Sequence, residues 1–440
     1  MAPGPSLRRF KGASRGWSAT SQIRSAMASS QRTPDDSTGE AFSRALAGSP
    51  APLRSVHTTN FPAILDQLGI SLLVTTYQAG KLVVVRPDIE NRSVINTHFR
   101  GFNKPMGMAV GNERLAVGTA QEIIVFRNVP AVAARLEPHG KHDACFLPRS
   151  LHVTGDIQIH EMAYAGGQRS EVRDRRPEVG DQNSEAGTRE SSLTSDRSPP
   201  TSEELWFVNT AFSCLCTYDE EHSFVPRWRP RFVTELAPED RSHLNGIGLL
   251  DGKPRWVTAL GETNTAGAWR ENKKDGGILI DLDSEEIIAR NLSMPHSPRW
   301  HAGRLWMEES GTGSLGFVDS RSERYESIVE LPGFTRGLDF AGNLAFVGLS
   351  QVRETAIFSG VPITERLKET ERTCGVWAID IQSGNVIAFI KFEEAVQEIF
   401  AVSVLQGMRF PDIINDDPKI TGSSFVLPDD ALKDVPDSLL

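Results

Sequence analysis

The chain has 440 residues, with 47 Lys and Arg against 57 Asp and Glu, a formal net charge of −10, and 37 Gly, 26 Pro and 4 Cys. This acidic balance argues against a nucleic-acid-binding protein, which would carry clustered positive charge, and no apolar run is long enough to suggest a membrane span. Four cysteines without a framework pattern do not indicate a disulfide scaffold. We therefore expect a soluble cytoplasmic protein with one large β domain or up to three ordinary domains.

The first segment of the chain is basic. Residues 1–34 carry six Lys and Arg and no acidic residue, and they are rich in Ser and Ala. Because this composition offers few large apolar groups to offset the entropy of ordering, it predicts a disordered basic and Ser-rich tail over residues 1–55. The alternatives are an organelle transit peptide and a chain that starts at Met27.

From residue 56 to residue 415, short apolar runs alternate with turns. A run that ends in small polar residues is followed by a second apolar run, and this pattern recurs along the chain. The first runs are SLLVTTY (71–77), RLAVGTA (114–120), ELWFVNT (204–210), PRWVTAL (254–260), RLWMEES (304–310) and NLAFVGL (343–349). The second runs are KLVVVRP (81–87), EIIVFRN (122–128), CLCTYD (214–219), GILIDLD (277–283), SLGFVDS (314–320) and GVWAIDI (375–381).

The ends of this pattern fit together. Each first run except SLLVTTY follows a further short strand, whereas QEIFAVSV (397–404), near the C-terminus, has no followers. Joining these two runs completes a sixth unit, and units repeated every ~40–50 residues are typical of four-stranded propeller blades. The sequence therefore predicts an all-β, six-bladed β-propeller as a single domain over residues 56–415. Closure by strands from both chain ends leaves no exposed edge strand.

Two further segments fall outside the repeat. Residues 166–204 are rich in Ser, Gly, Pro and mixed charges and contain no aromatic residue, so we predict a disordered loop insertion within the propeller. Residues 416–440 are predicted to form an acidic C-terminal tail.

Polar residues gather where each blade is expected to open on one mouth of the central channel. If the strands of a blade are called a to d from the channel outward, the starts of the a strands and the ends of the b strands lie on the same face. His160, His243 and His296 occur near the starts of three successive a strands, and we expect them to converge. The predicted ligand-binding residues at this mouth are His160, Glu161, Asn209, His243, Asn245, Glu262, His296, Arg299, Glu309, Arg336, Gln351 and Glu398.

The chemistry of these residue types leaves several roles open. Imidazoles beside carboxylates suit Zn²⁺, Mn²⁺ or Fe²⁺, so His160, His243 and His296 are candidate ligands of one divalent metal ion. Without a metal, His and Glu can act as general acid and base or hydrogen-bond a polar ligand. Arg299 and Arg336 can pair with a carboxylate or phosphate on that ligand.

The two longest loops between b and c strands are expected on the same face. They span residues 261–277, with Trp269 and Arg270, and residues 350–374, where ITERLKET suggests a short helix. Long loops over one face of a propeller fit a lid or a binding rim.

Several stretches, including HDACFLPRSLHVTGDIQIHEMA, LWFVNTAFSCLCT, VTALGETNTAGAWR and MPHSPRWHAGRLWMEESGTGSLG, resemble an uncharacterised bacterial conserved-hypothetical family. The resemblance covers about residues 56–415 and implies a β-propeller with no established reaction, substrate or cofactor. In layout the fold also resembles calcium-dependent lactonase and phosphotriesterase propellers. Their oxygen-rich metal shell is partly matched by Glu161, Asn209 and Asn245, while His243 and His296 depart from it.

Two functions follow from these observations. The first is a binding propeller that holds a small polar ligand, a sugar or a segment of a partner protein at the channel mouth. The alternative is a metal-dependent hydrolase or lyase that resembles the lactonase-type propellers. Neither a nucleic acid nor a membrane is expected as a partner.

Overall fold

A computed structural model describes residues 53–88, 90–91, 93–166, 203–319, 322–351 and 360–436. These residues form six sheets, each built on four antiparallel strands. The innermost strand of each sheet contacts the innermost strand of the next, and the last returns to the first. The chain is therefore a six-bladed β-propeller, as the repeat predicts.

We number the strands in chain order and give the strands of each blade from a to d. Blade 1 contains β25 (Ala401–Gln406), β2 (Ile70–Thr76), β3 (Lys81–Pro87) and β4 (Ile95–Gly101). Blade 2 contains β5 (Met108–Gly111), β6 (Arg114–Gly118), β7 (Glu122–Asn128) and β8 (Ala144–Val153). Blade 3 contains β9 (Ile159–Ala165), β10 (Glu204–Asn209), β11 (Cys214–Thr217) and β12 (Val225–Trp228).

The remaining blades follow the same order. Blade 4 contains β13 (Leu244–Leu250), β14 (Lys253–Ala259), β15 (Gly277–Asp281) and β16 (Ile287–Leu292). Blade 5 contains β17 (Pro295–His301), β18 (Arg304–Glu309), β19 (Ser314–Asp319) and β20 (Arg324–Glu330). Blade 6 contains β21 (Phe334–Ala341), β22 (Leu344–Ser350), β23 (Cys374–Asp380) and β24 (Val386–Phe392).

Blade 1 closes the ring with strands from both ends of the described chain. β25 pairs antiparallel with β2 from Ile70 opposite Gln406 to Thr75 opposite Ala401. This is the strand that the sequence leaves without followers, so the predicted mode of closure is confirmed. Apolar side chains of blades 6 and 1 pack together at the junction, among them Phe346, Val376 and Val402.

Two short strands extend the ring beyond the prediction. β1 (Ser55–His57) pairs with the outer strand of blade 6, and β26 (Pro411–Ile413) pairs in parallel with the outer strand of blade 2. Asp412 of β26 accepts a hydrogen bond from Arg100 at 3.0 Å, which ties this strand to blade 1. A strand of only three residues carries too little periodicity to be recognised in sequence.

Helices are short and peripheral. Helix Phe61–Leu68 connects β1 to β2 and ends at Gly69, whose left-handed φ of 66° suits glycine. The other helical segments are Pro130–Ala133, Ala268–Asn272, Pro362–Arg366, Glu369–Glu371, Pro418–Ser423 and Asp429–Leu432. Within the described ranges, none of the helices is long and apolar enough to cross a membrane.

The structure bears on the predicted tails only in part. Two of the short helices lie within the predicted acidic C-terminal tail, at Pro418–Ser423 and Asp429–Leu432, and their residues are largely exposed. The predicted disorder of residues 1–52 and of residues 167–202 concerns positions outside the described residues.

Candidate functional site

Strand pairing defines which site residues are equivalent between blades. Ile159 of blade 3, Leu244 of blade 4 and Pro295 of blade 5 pair with the last residues of their b strands. The equivalent residues one position later are therefore His160, Asn245 and His296. His243 precedes Asn245 by two residues, so the three histidines near the strand starts do not occupy equivalent positions.

A left-handed residue two positions before each equivalent residue turns the chain into the inner strand. These residues are Gln158, His243 and Met294, with φ values of 56°, 50° and 50°. His243 is therefore the residue at which the backbone bends. The spacing of apolar residues does not reveal such a bend, so it cannot place His243 correctly.

His160 and His296 are held in the same manner. His160 Nδ1 lies 3.2 Å from the Gln158 carbonyl and 2.9 Å from Thr210 Oγ1, and His296 Nδ1 lies 2.9 Å from the Met294 carbonyl and 2.8 Å from Ser310 Oγ. Because a carbonyl can only accept, the neutral rings carry their proton on Nδ1. Burial lowers the pKa of both imidazoles well below the usual range, so both are neutral at pH 7. Neither Nε2 forms a hydrogen bond with any described residue, which leaves both as free acceptors.

His243 is held by a carboxylate. Its Nδ1 lies 2.9 Å from Asp240 Oδ1, and Asp240 Oδ2 also accepts from Trp269 Nε1 at 2.9 Å. The ring of His243 packs against that of Trp269, with centroids 4.3 Å apart, and lies edge-to-face with His160 at 4.7 Å. The loop at residues 261–277 therefore reaches the channel mouth through Trp269, as predicted.

The inner strands enclose a small polar cavity at this end of the channel. Its volume is about 20 Å³, enough for one water-sized group. Six of the predicted site residues line it, namely His160, Glu161, Asn245, His296, Arg299 and Arg336.

Glu161 and Arg299 form an ion pair across the channel. Arg299 Nη2 contacts Glu161 Oε1, while Glu161 Oε2 accepts the amide of Ile247 at 2.8 Å. Burial raises the pKa of Glu161, although the charge of Arg299 opposes this shift. Burial by itself would lower the pKa of Arg299, but the charge of Glu161 raises it. Gly246 lies beside this contact, since a Cβ there would be 3.2 Å from Glu161 Oε2 and would also collide with Thr258 and Pro298. The pair joins the inner strands of blades 3, 4 and 5.

Arg336 is poorly paired by comparison. The residue is 9% exposed, its Nε forms no hydrogen bond with the described chain, and its carboxylate partner Glu398 lies 3.7 Å from Nη1. The guanidinium stacks on Phe400, 3.5 Å above the ring centroid. Burial lowers the pKa of Arg336 to about 10, and burial also raises the pKa of Glu398.

Glu308 is a buried carboxyl group that the sequence analysis did not select. It is 0% exposed and pairs with His296 across the first two strands of blade 5, and the Ser297 hydroxyl and the Gly337 amide approach its carboxyl group without reaching good hydrogen-bonding geometry. Burial raises its pKa to about 8. Its neighbour Glu309 is among the predicted site residues. Both carboxylates end the b strand, and the sequence does not show which of the two side chains faces the channel, because that depends on the strand pairing.

Four of the predicted residues lie apart from the cavity. Asn209 Oδ1 accepts the Phe212 amide at 3.1 Å in a turn, and Glu309 Oε1 accepts the Ser293 amide at 2.8 Å. Gln351 donates its backbone N–H to the Gln397 carbonyl at 2.8 Å. Glu262 pairs with Arg290 beside a separate cavity of about 400 Å³ between the outer strands of blades 3 and 4.

The predicted metal ligands do not form a coordination site. Among the described residues, no group of three or more His, Cys, Asp or Glu side chains is arranged to hold a metal ion. His160 and His243 lie edge-to-face, and Arg299 and Arg336 line the same cavity as His160 and His296. Fixed positive charge beside the imidazoles opposes a divalent cation.

Sequence reasoning also missed Asp240 and Phe400. Asp240 precedes His243 by three residues, a spacing that permits a side-chain contact within one turn. Phe400 reads as a core residue of the run 397–404, although its ring lies against Arg336 and 5.0 Å from His160.

Crystal structures with a similar arrangement share little sequence with the chain. In a nidogen/laminin complex, a chain is 10% identical, with 77% of this chain and 99% of that chain covered and a TM-score of 0.44. A protein of unknown function from Bacteroides caccae is 8% identical, with coverage of 77% and 99% and a TM-score of 0.42. Virginiamycin B lyase from Staphylococcus aureus is 12% identical, with coverage of 73% and 78% and a TM-score of 0.33.

No protein with curated functional information matches the sequence. One family does match, over residues 59–174 and 197–414, and this confirms the resemblance to an uncharacterised family. Because these two segments make up more than half of the chain, the protein belongs to the family described as Domain of unknown function (DUF4915).

Proposed function

We propose that the protein binds a small anion that also carries hydroxyl groups, such as a hydroxy acid or a sugar acid, at the mouth of the propeller channel. Arg336 holds the anionic group, and the Nε2 atoms of His160 and His296 accept hydrogen bonds from hydroxyl groups. The observation that carries this proposal is the incomplete pairing of Arg336.

A buried guanidinium without a close counter-ion is costly, because water no longer solvates its charge. Arg299 avoids this cost through its contact with Glu161, whereas Arg336 has only Glu398 at 3.7 Å and an Nε without a partner among the described residues. A carboxylate or phosphate on a ligand supplies the missing acceptor with bidentate geometry. This supports Arg336, and not Arg299, as the anion-binding cation.

The size of the cavity limits what enters it. About 20 Å³ accommodates a single small group, so only the anionic head of the ligand lies between the inner strands. The rest of the ligand lies in the mouth against Phe400, Tyr77 and the loop that carries Trp269. This limit favours a small molecule over a segment of a partner protein.

The proposal is tested by thermal-shift titrations with matched pairs of ligands, such as lactate against propionate and glycerate against glycerol. A ligand that binds the native state raises the apparent melting temperature. We expect lactate to bind more tightly than propionate, which lacks the hydroxyl group. We expect glycerate to bind more tightly than glycerol, which lacks the carboxylate. Arg336→Gln should weaken binding of the acids at least about tenfold, the effect of losing a charged hydrogen bond.

Arg290→Gln is the matched control, because Arg290 is exposed and lies outside the channel. It should bind the acids as the wild-type protein does. Equal binding of the acids by the wild-type protein and Arg336→Gln contradicts the proposal.

A second candidate function is acid–base catalysis on the bound ligand without a metal, and the pairing of His243 with Asp240 favours it. A carboxylate that holds Nδ1 orients the ring and leaves Nε2 to take a proton. Proton NMR of the bound ligand over time tests this function. Conversion by the wild-type protein and none by His243→Gln supports it, and an unchanged ligand contradicts it.

We also propose a cytoplasmic location. All four cysteines are free and buried, and the thiols of Cys214 and Cys216 lie 3.4 Å apart, at hydrogen-bonding distance. Free thiols are typical of a reducing compartment. Cell fractionation that finds the protein in an oxidising compartment contradicts this location.

A further inference from the structure

Glu308 occupies a b-strand position that holds no carboxyl group in the two preceding blades. Pairing of the b strands with Leu215, Leu279 and Leu315 makes Val208, Thr258 and Glu308 equivalent in blades 3, 4 and 5. The two preceding blades therefore have an apolar side chain, Val208, and a hydroxyl side chain, Thr258, at this position. Burying a carboxyl group whose oxygens have no well-formed hydrogen bond is unfavourable, so we expect Glu308 to lower the stability of the fold.

The ionisable groups around Glu308 come from several inner elements. The charges of Glu161 and Arg299 affect the pKa of Glu308. The charge of Glu308 in turn affects the pKa values of Arg336 and Tyr325. His296 lies opposite Glu308 in the strand pair. The Ser297 hydroxyl and the Gly337 amide approach its carboxyl group and favour the charged form. Gly337 directly follows Arg336, so the carboxyl group lies beside the backbone of the proposed anion site.

The two arginines of this cluster are not equally available to Glu308. Arg299 already contacts Glu161, whereas Arg336 has an unpartnered Nε within the described chain. An ionised Glu308 and a bound anion therefore compete for the same positive charge in an enclosed channel, where the attraction and the repulsion are both stronger than in water.

We propose that anion binding at Arg336 is coupled to protonation of Glu308, so that the site accepts the anion when Glu308 is neutral and loses affinity when Glu308 is ionised. This inference rests on the proposed function and adds a regulation of the same site. It makes Glu308 a proton-linked positioning residue that does not itself touch the ligand.

The direction of the pH dependence follows from linkage. The bound anion favours neutral Glu308, so the complex holds more protons than the free protein and affinity falls as the pH rises. With a pKa of about 8 for Glu308, affinity is constant below about pH 7 and decreases about tenfold between pH 7 and pH 9. Arg336 keeps its charge in this range, because its pKa is about 10.

The test uses acetate and sulfate as probes, since both keep a constant charge from pH 6.5 to pH 9. Dissociation constants are measured by thermal-shift and NMR titration for the full-length wild-type protein and for Glu308→Gln, which is permanently neutral. We expect the wild-type affinity to fall about tenfold from pH 7 to pH 9, and that of Glu308→Gln to stay constant. At pH 9 the variant should bind both anions more tightly than the wild-type protein does.

Two further variants keep the test decisive. Glu308→Thr copies the residue of blade 4 and replaces Glu308→Gln if that variant fails to fold. Glu309→Gln removes the adjacent carboxyl group, which bonds to Ser293 away from the cavity, and should retain the wild-type pH dependence.

The outcomes separate the two proposals. Wild-type binding that stays constant from pH 7 to pH 9, or an equal loss in Glu308→Gln, overturns the coupling and leaves the anion site intact. No binding of either probe to the wild-type protein at pH 6.5 overturns the anion site and the coupling together.

Discussion

At the residue scale, the charged side chains of the channel differ in how well the fold pairs them. Glu161 accepts from Arg299 and from the Ile247 amide, so one carboxylate joins the inner strands of three blades. Arg336 and Glu308 have no comparable partners among the described residues. Well-paired charges of this kind stabilise the ring, and the poorly paired ones are the groups that we propose to interact with a ligand and a proton.

The structural role of Glu161 leads to a stability prediction. Glu161→Gln leaves the charge of Arg299 buried without its counter-ion, and we expect the free energy of unfolding to fall by about 3 kcal/mol. Urea denaturation followed by circular dichroism measures this change, with an unchanged dependence on denaturant concentration.

Glu262→Gln provides the comparison, because it breaks the exposed ion pair with Arg290. The loss should stay below about 1 kcal/mol, as is typical of surface pairs. Similar losses for the two variants would falsify the structural role assigned to Glu161.

Sequence could locate the inner-strand residues of the site but not their partners. His160 and His296 follow directly from the starts of a strands. The position of His243 depends on a left-handed residue that the pattern does not reveal, and the choice between Glu308 and Glu309 depends on which of them faces the channel. Glu262 and Gln351 are predicted as the ends of b strands, and this position sets the face of the ring but not the distance to the channel.

At the element scale, β25 has the largest role in closing the ring. It supplies the inner strand of blade 1 and contacts the inner strands of blades 6 and 2. The C-terminal residues after β26 contribute much less, because their two short helices are largely exposed.

This contrast predicts the outcome of two truncations. A chain that ends at residue 396 lacks β25, exposes the edge of β2 and uncovers the inner strands of blades 6 and 2, so it should show no cooperative thermal transition. A chain that ends at residue 416 keeps β25 and β26 and should melt within about 5 °C of the full-length protein. A cooperative transition in the shorter chain contradicts closure by β25.

At the scale of the whole molecule, the acidic balance of the chain does not oppose an anion site. Net charge governs solubility and long-range association, whereas affinity depends on the groups within a few ångströms of the ligand. The ionisable groups that line the cavity are Arg336, two neutral imidazoles, and Arg299 with Glu161, which form an ion pair, so Arg336 is the charge without a close counter-ion.

The architecture was predictable as a whole because it repeats. Six copies of one strand pattern, with one inner strand displaced to the C-terminal end, determine the number of blades and the mode of closure together. The strands β1 and β26 were not predictable, since each occurs once and spans three residues.

The central claim is that Arg336 is an anion-binding residue at the mouth of the channel. Crystals grown at pH 6.5 and soaked in bromide test it directly, because anomalous scattering locates the ion and bromide is small enough for the cavity. We predict an anomalous peak within hydrogen-bonding distance of Arg336 Nε, on the side of His160 and His296. Bromide sites elsewhere with none at Arg336, and Glu398 in direct contact with its guanidinium, would contradict the claim.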